Sequence, residues 1–327
     1  MLLSRSKKIL MAIGLTTMLL VPGCGAPIHN QSPKPITNQN VNPVDIKPVK
    51  YTNHLHFNAA SSATTEDSTV LPLLQPGTTG KNALWLNETL SLLDYLPVQF
   101  VSLDTSESTA STSMSYNSTT IASTAAFADQ LTYGNLTPSS GKWVWTANYP
   151  QSLASLWNPN VVNTITYGAI MSFESQHGLA PDGIAGPSVY AALHRALLAN
   201  QVSQSAYTYV TVSKTLPERL EVWQNGREVF ESPANTGISE SPTPNGTWPI
   251  YLRLTSQTMQ GKTPWNTTYS DAGVPWVSYF YHGCAIHGFP RDSYGSPQSL
   301  GCVELPVSAA QTVFGLVNYG TLVTVES

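Results

Sequence analysis

Charge is the scarcest ingredient of this sequence. Asp, Glu, Lys and Arg make up 10% of it, against about 25% in ordinary soluble domains. Beyond the first eight residues no run of Lys or Arg occurs, and the formal charge is -4. The basic footprint of a nucleic-acid binder is missing, so no nucleic-acid partner is expected. Cysteine is nearly as rare, with 3 in 327 residues, too few for a disulfide framework. Nor is there an apolar run near the N-terminus of the roughly 20 residues a membrane-crossing helix needs. The stretch Ile9 to Val21 has only 13.

That short run has a different meaning. It follows Arg5, Lys7 and Lys8 and ends in LVPGC, Leu20 to Cys24. A basic start and a short apolar core make a secretory signal, and LVPGC resembles a bacterial lipobox with Gly23 before the cysteine. The expectation is a signal peptide over 1–23 and a lipid-bearing Cys24, giving an extracytoplasmic protein anchored to the cell membrane and facing the wall. An ordinary secretory signal with an incidental cysteine is the alternative. Cleavage removes three positive charges, taking the chain from -4 to -7. Cys284 and Cys302 then remain.

What is present in quantity is Ser, Thr, Asn, Pro and Gly. Residues 24–80 read as a disordered tether; His54 and His56 stand in it without further ligands, so no metal site is expected. Order is expected from Asn82, where Leu84, Leu90 and Leu93 recur at helical spacing until Pro97. Ser102 to Ala126 is a low-complexity segment expected to be unstructured. Trp143, Trp145, Tyr149 and Trp157 follow without clear periodicity. Ile165 to Leu197 then reads as two helices: Ile165, Ala169, Ile170 and Phe173 share a face, His177-Gly178 closes the first, and Pro187 opens the second with Val189, Leu193 and Leu197 on its apolar side. His177 and Asp182 fit capping and turn roles.

From Tyr207 the period changes from helix to strand. YTYVTVSKT alternates, as does Leu220 to Trp223, and Asn225-Gly226 between alternating runs signals a hairpin. Further strands are expected over Thr247–Leu254, Val277–Tyr281, Cys284–His287 and Leu322–Glu326, with one helix over Ser308–Val317.

One pair of residues carries chemistry. His287 ends the run HGCAIH, and Cys302 lies fifteen positions later beside Gly301. An imidazole can draw off a thiol proton and stabilise the thiolate. Gly301 would let the backbone aim amide N–H groups at a developing oxyanion. This pattern suits cysteine acyl transfer. Cys284, three residues before His287, would point to the opposite face of a strand, with His282 and Ile286. That favours a small buried hydrophobe over a redox partner of Cys302.

Two resemblances sharpen the reading. FESQHGLAPDGIAGPSVYAAL resembles the second half of the three-helix peptidoglycan-binding domain, and ALWLNETLSLLDYLP its first helix, with an insert between them; a helical spacer is the alternative. His287-Gly288, with fourteen residues between His287 and Cys302 and Ser299-x-Gly301-Cys302 closing the interval, resembles the signature of the L,D-transpeptidase catalytic domain. NTGISESPTPNGTWPIYL and GTLVTV resemble that family's other conserved stretches. The implied fold is multidomain α + β: a small peptidoglycan-binding-like helical domain over 81–200 with a Ser/Thr-rich insert, then a mainly β L,D-transpeptidase-like catalytic domain over 205–327. The resemblance implies Cys302 as nucleophile and His287 as base, with oxyanion donors around Gly301 and Cys302. It also implies that Ser299 holds the loop and that Gly288 lets substrate approach the histidine. The partners implied are peptidoglycan stem peptides, and neither metal nor organic cofactor is called for. Leu300 replaces the family's usual His: if that position acts through its backbone, activity survives, and if its imidazole binds or orients substrate, the specificity shifts. Glu304 replaces the usual Arg or Asn and would repel a substrate carboxylate. A carboxypeptidase and a non-catalytic wall-binding lipoprotein are the rival functions.

Overall fold

The computed structural model describes residues 71–102, 126–131 and 136–327. The expected signal peptide, Cys24, the His54/His56 pair and most of the Ser/Thr-rich segment lie outside the described residues. Among the described residues no helix is long and apolar enough to cross a membrane.

The helical part begins earlier than expected. Helix α1 spans Lys81–Leu92 and buries Trp85, Leu86 and Leu90, but residues 71–80 already pack with it. Leu74 is buried and exchanges both backbone hydrogen bonds with Ala185, while Tyr190 Oη donates to Pro72 O at 2.7 Å. The tether expected to run to residue 80 therefore ends by residue 71.

Two strands escape helical and alternating patterns. β1 (Val98–Ser102) pairs antiparallel with β2 (Gly141–Trp145), placing Phe100 opposite Trp143. Trp143 meets Trp157 edge-on at 5.1 Å between centroids. The aromatics without period are thus the packing of this ribbon and of the short helices α2 (126–131) and α3 (Gln151–Ala154).

Helices α4 (Thr164–Gln176) and α5 (Pro187–Ala199) form where the apolar spacing places them. Asn163 caps α4, its Oδ1 accepting from the amides of Ile165 and Thr166, which satisfies two of the unpaired N–H groups of a helix start. His177 is the C-cap, and Asp182 Oδ1 accepts from Ile184 N. Under the α4–α5 turn, Glu174 accepts from Gly183 N at 2.7 Å, and burial pushes its carboxyl up to about 8.

The remaining chain forms two sheets. One has the order β5-β4-β3-β11-β6, built from β3 (Thr208–Ser213), β4 (Arg219–Gln224), β5 (Arg227–Pro233), β6 (Gly246–Pro249) and β11 (Leu322–Glu326). The other has the order β10-β9-β8-β7, from β7 (Leu252–Lys262), β8 (Thr268–Tyr281), β9 (Cys284–Gly288) and β10 (Val303–Leu305). Helix α6 (Val307–Leu316) packs with β8 and β9. Val210, Val222 and Val323 from the first sheet meet Phe280, Ile286, Val303 and Leu305 from the second in one core.

Asn225 and Gly226 both take positive φ, as a type I′ hairpin requires. The strand expected over Thr247–Leu254 is instead two strands in different sheets, interrupted at Ile250-Tyr251. β8 extends far beyond Val277–Tyr281, because its outer half pairs with β7 rather than with a core. β10 is too short to show alternation.

The helical and β parts share a core: Tyr209 of β3 and Leu322 of β11 belong to the buried cluster of the helices. Tyr209 Oη donates to Ser152 Oγ at 3.0 Å. Gly168 of α4 and Gly320, which precedes β11, approach so closely that a Cβ on Gly168 would lie 2.5 Å from Gly320 O.

Candidate active site

β9 and β10 run parallel, with Ile286 opposite Val303, His287 opposite Glu304 and Gly288 opposite Leu305. Ile286, Val303 and Leu305 enter the core. By the two-residue period of a strand, Ala285, His287 and Glu304 face the other way. Cys302 precedes β10 and packs with Ala285, Val277 and Phe289 on that same face. The topology therefore sets on one face the two residues that the sequence pairs across fifteen positions.

His287 is buried, and its Nδ1 lies 3.1 Å from Gly288 O. A carbonyl only accepts, so Nδ1 carries the proton and Nε2 is the basic nitrogen. Burial is the main force on the ring and moves it below the ordinary imidazole value of 6.5. The Cys302 Sγ donates to Gly283 O at 3.7 Å, with no hydrogen bond to His287 among the described residues. Burial, with Cys284 and Glu304 adding to it, pushes the thiol up to about 12. The resting pair is therefore neutral thiol and neutral imidazole, not the thiolate that a neighbouring imidazole would suggest. Proton transfer is left to the complex with substrate, where catalytic hydrogen bonds commonly tighten.

The loop before Cys302 is held from several sides. Ser299 Oγ donates to Cys302 O at 2.6 Å and accepts from Gly301 N at 3.1 Å, and Gly301 takes φ 114°. Ser299 thus closes the turn. The Gly301 amide, expected to face an oxyanion, is committed to this bond. Leu300 is engaged through its backbone, its carbonyl accepting from Ser241 Oγ at 3.0 Å.

Gly288 also has a packing role. It is buried, and a Cβ there would lie 3.1 Å from Pro275, 3.2 Å from Val307 and 3.3 Å from Ala310. Its lack of a side chain lets α6 and β8 close behind the histidine.

Glu304 does not present a bare charge. Arg291 grips it with two bonds of 2.8 Å, Nε to Oε2 and Nη2 to Oε1. The carboxylate side chain is 6% exposed and the Arg291 side chain 30%. The repulsion expected of Glu304 toward a substrate carboxylate is thus met by a bidentate counter-charge.

Cys284 packs with the core on the side of Ile286, and burial pushes its thiol up to about 11. Both cysteines are free thiols. His282, expected on the same face, sits instead in the β8–β9 turn with φ 43°.

Several supporting residues carry no chemical signature of their own. Thr243 Oγ1 donates to Gly301 O at 3.1 Å and accepts from Gly237 N at 2.9 Å. Buried Glu218 takes both the amide and the hydroxyl of Thr236 at 2.6 and 2.7 Å. Asn235 exchanges backbone bonds with Glu304. The Thr-Gly and Thr-Pro pairs in NTGISESPTP mark this cradle, but only contact explains it. Burial raises the phenols of Tyr251, Tyr269 and Tyr279, and each also lies close enough for a Cys302 thiolate to add to that rise. Among the described residues no three His, Cys, Asp or Glu side chains converge as a metal site.

A family model of the L,D-transpeptidase catalytic domain (YkuD) matches residues 207–325. No curated protein matches the chain. Solved structures similar to it include an L,D-transpeptidase from Mycobacterium smegmatis, 21% identical over 37% of this chain and 59% of that one, TM-score 0.35. The catalytic domain of the E. faecium L,D-transpeptidase is 25% identical over 38% of this chain and 99% of that one, TM-score 0.34. L,D-transpeptidase 3 from Mycobacterium tuberculosis is 21% identical over 37% and 62%, TM-score 0.35. The chain thus spans only 59% of the length of the M. smegmatis protein. It is the family model that carries the likeness: residues 207–325 of this chain match the L,D-transpeptidase catalytic domain.

Proposed function

We propose that the protein is a peptidoglycan L,D-transpeptidase in which Cys302 accepts the acyl group of a tetrapeptide stem and passes it to an amine. The observation that supports this best is the parallel β9–β10 pair, which turns His287 toward the same non-core face as Cys302 within the matched domain. His287 Nε2 takes the thiol proton as Sγ attacks the carbonyl of the diamino-acid–D-Ala bond. The Cys302 amide faces the oxyanion. The tetrahedral adduct collapses as the imidazolium gives its proton to the departing D-alanine amine, leaving a thioester. An acceptor amine then attacks the thioester, its proton passes to His287, and the imidazolium returns a proton to the leaving thiolate. The product is a 3→3 cross-link or an exchanged terminal D-amino acid. On this reading Cys24 carries a lipid anchor and the helical part holds the wall.

Intact mass of the full chain incubated with a disaccharide-tetrapeptide tests the chemistry, with Cys302→Ala beside it. The expected result is an adduct of substrate minus D-alanine, absent in the variant. D-alanine release without exchange or cross-linking would make the protein a carboxypeptidase. No adduct and no release with any of several stem types would move the weight to a wall-binding lipoprotein. Labelling cells with a fatty-acid probe tests Cys24.

A further inference from the structure

Arg291 lies in the loop between β9 and β10, in none of the motifs that identify the site. Its fork closes on Glu304, which β10 sets directly opposite His287 and two residues from Cys302. The same guanidinium stacks over Phe289 at 4.7 Å, and Phe289 meets the His287 ring edge-on at 6.1 Å. Nη2 also donates to Gln298 O at 3.3 Å, at the foot of the nucleophile loop. One side chain therefore touches the carboxylate beside the base, the ring that supports the base, and the loop that carries the thiol.

We propose that Arg291 is a positioning residue for the Cys302–His287 pair, cancelling the Glu304 charge across from the imidazole and propping Phe289 against its ring. The inference rests on the assignment of Cys302 and His287 as the reacting pair. A buried carboxylate left alone would favour the imidazolium and disfavour the thiolate, which is the wrong bias for a base that must stay neutral. Glu304 does push His287 up while Arg291 pushes it down. The other charged or polar groups facing His287 are Asp271 of β8, which favours the imidazolium, and the Gly288 carbonyl. Helix α6, packed behind Gly288, carries no ionisable side chain. On the thiol side the neighbours are Cys284, Glu304, the phenols of Tyr251, Tyr269 and Tyr279, and the Ala285 backbone, whose hydrogen bond favours the thiolate.

The test is the titration of His287 in the full chain, read from imidazole ring-proton resonances assigned by loss in His287→Gln. Arg291→Gln should raise the midpoint by about one unit, and Glu304→Gln should lower it by a similar amount. The double variant should return to within roughly 0.3 unit of wild type. Arg291→Lys keeps the charge but not the fork. It should leave the midpoint in place while slowing acyl-enzyme formation about tenfold. Shifts of one sign in both single variants, or none in either, would overturn the proposal. If Arg291→Gln does not fold, Glu304→Gln and Arg291→Lys decide it alone. The titration needs no substrate. A wild type that forms no acyl-enzyme while the variants shift as stated would sink the transpeptidase reading and leave the role of Arg291 standing.

Discussion

Replacing Glu174 by Gln should stabilise the protein at neutral pH and leave it unchanged in acid. Glu174 is 1% exposed, with Gly183 N donating to its Oε2 and Asp182 beside it. Burial, the largest cause, takes its carboxyl from 4.5 to about 8. An acid whose folded value is raised holds in the native state a proton that the unfolded chain gives up. Stability therefore falls as pH rises between 4.5 and about 8. At pH 7, about 2.5 units above the unfolded value, the loss comes to about 3 kcal/mol. The amide cannot ionise, yet it keeps an oxygen for Gly183 N–H and a donor for Asp182. Urea unfolding followed by tryptophan fluorescence at pH 4, 5.5 and 7 reads the difference. The two chains should coincide at pH 4 and diverge by roughly 1–3 kcal/mol at pH 7. Glu88, raised by burial to about 7, adds a shallower slope of the same sign to both. Parallel curves, with wild type gaining stability from pH 5.5 to 7, would refute the reasoning.

Iodoacetamide should label Cys302 slowly at pH 7 and faster as pH rises toward the thiol's value of about 12; rapid labelling below pH 8 would contradict the neutral resting pair. Because burial lowers His287, acyl-enzyme formation should hold from pH 7 through 6.5 and be lost only at a midpoint below 6.5, and a pH–rate profile with an acid midpoint above 6.5 would count against it. Ser299→Ala removes the acceptor of Gly301 N and the donor to Cys302 O, so acylation should drop at least about tenfold, measured by intact mass against time, with thermal melting showing a loss of about 1–3 kcal/mol from the unpaired backbone groups. Gly320→Ala forces a Cβ against the Gly168 carbonyl at φ 82°, and thermal melting should show a loss of about 2–4 kcal/mol.

The legible parts of this protein are those where a local period or a spacing is long enough to read. Helices α4 and α5 announce themselves by Ile165, Ala169, Phe173 and by Pro187, and β3, β4 and β11 by alternation. His287 and Cys302 are legible through their spacing and the glycines beside them. The rest depends on contacts that no local pattern encodes. β1 and β2 find each other across a long insert, and β10 is three residues long. Glu304 reads as a lone acid until Arg291, thirteen residues earlier, is seen closing on it. The Gly301 amide reads as an oxyanion donor until Ser299 is found to hold it.

Tyr209 and Leu322, sunk into the helices' core, have a mechanical consequence. Strands β3 and β11, which pair in parallel at the middle of their sheet, are bolted to the helices without a swivel. A chain begun at residue 205 would bare the Tyr209 and Leu322 side chains, and should clump where the longer chain stays dispersed. Within the intact body the helices set the bearing of Cys302. Its reach is that of a fixed jaw, and not that of a hook on a string.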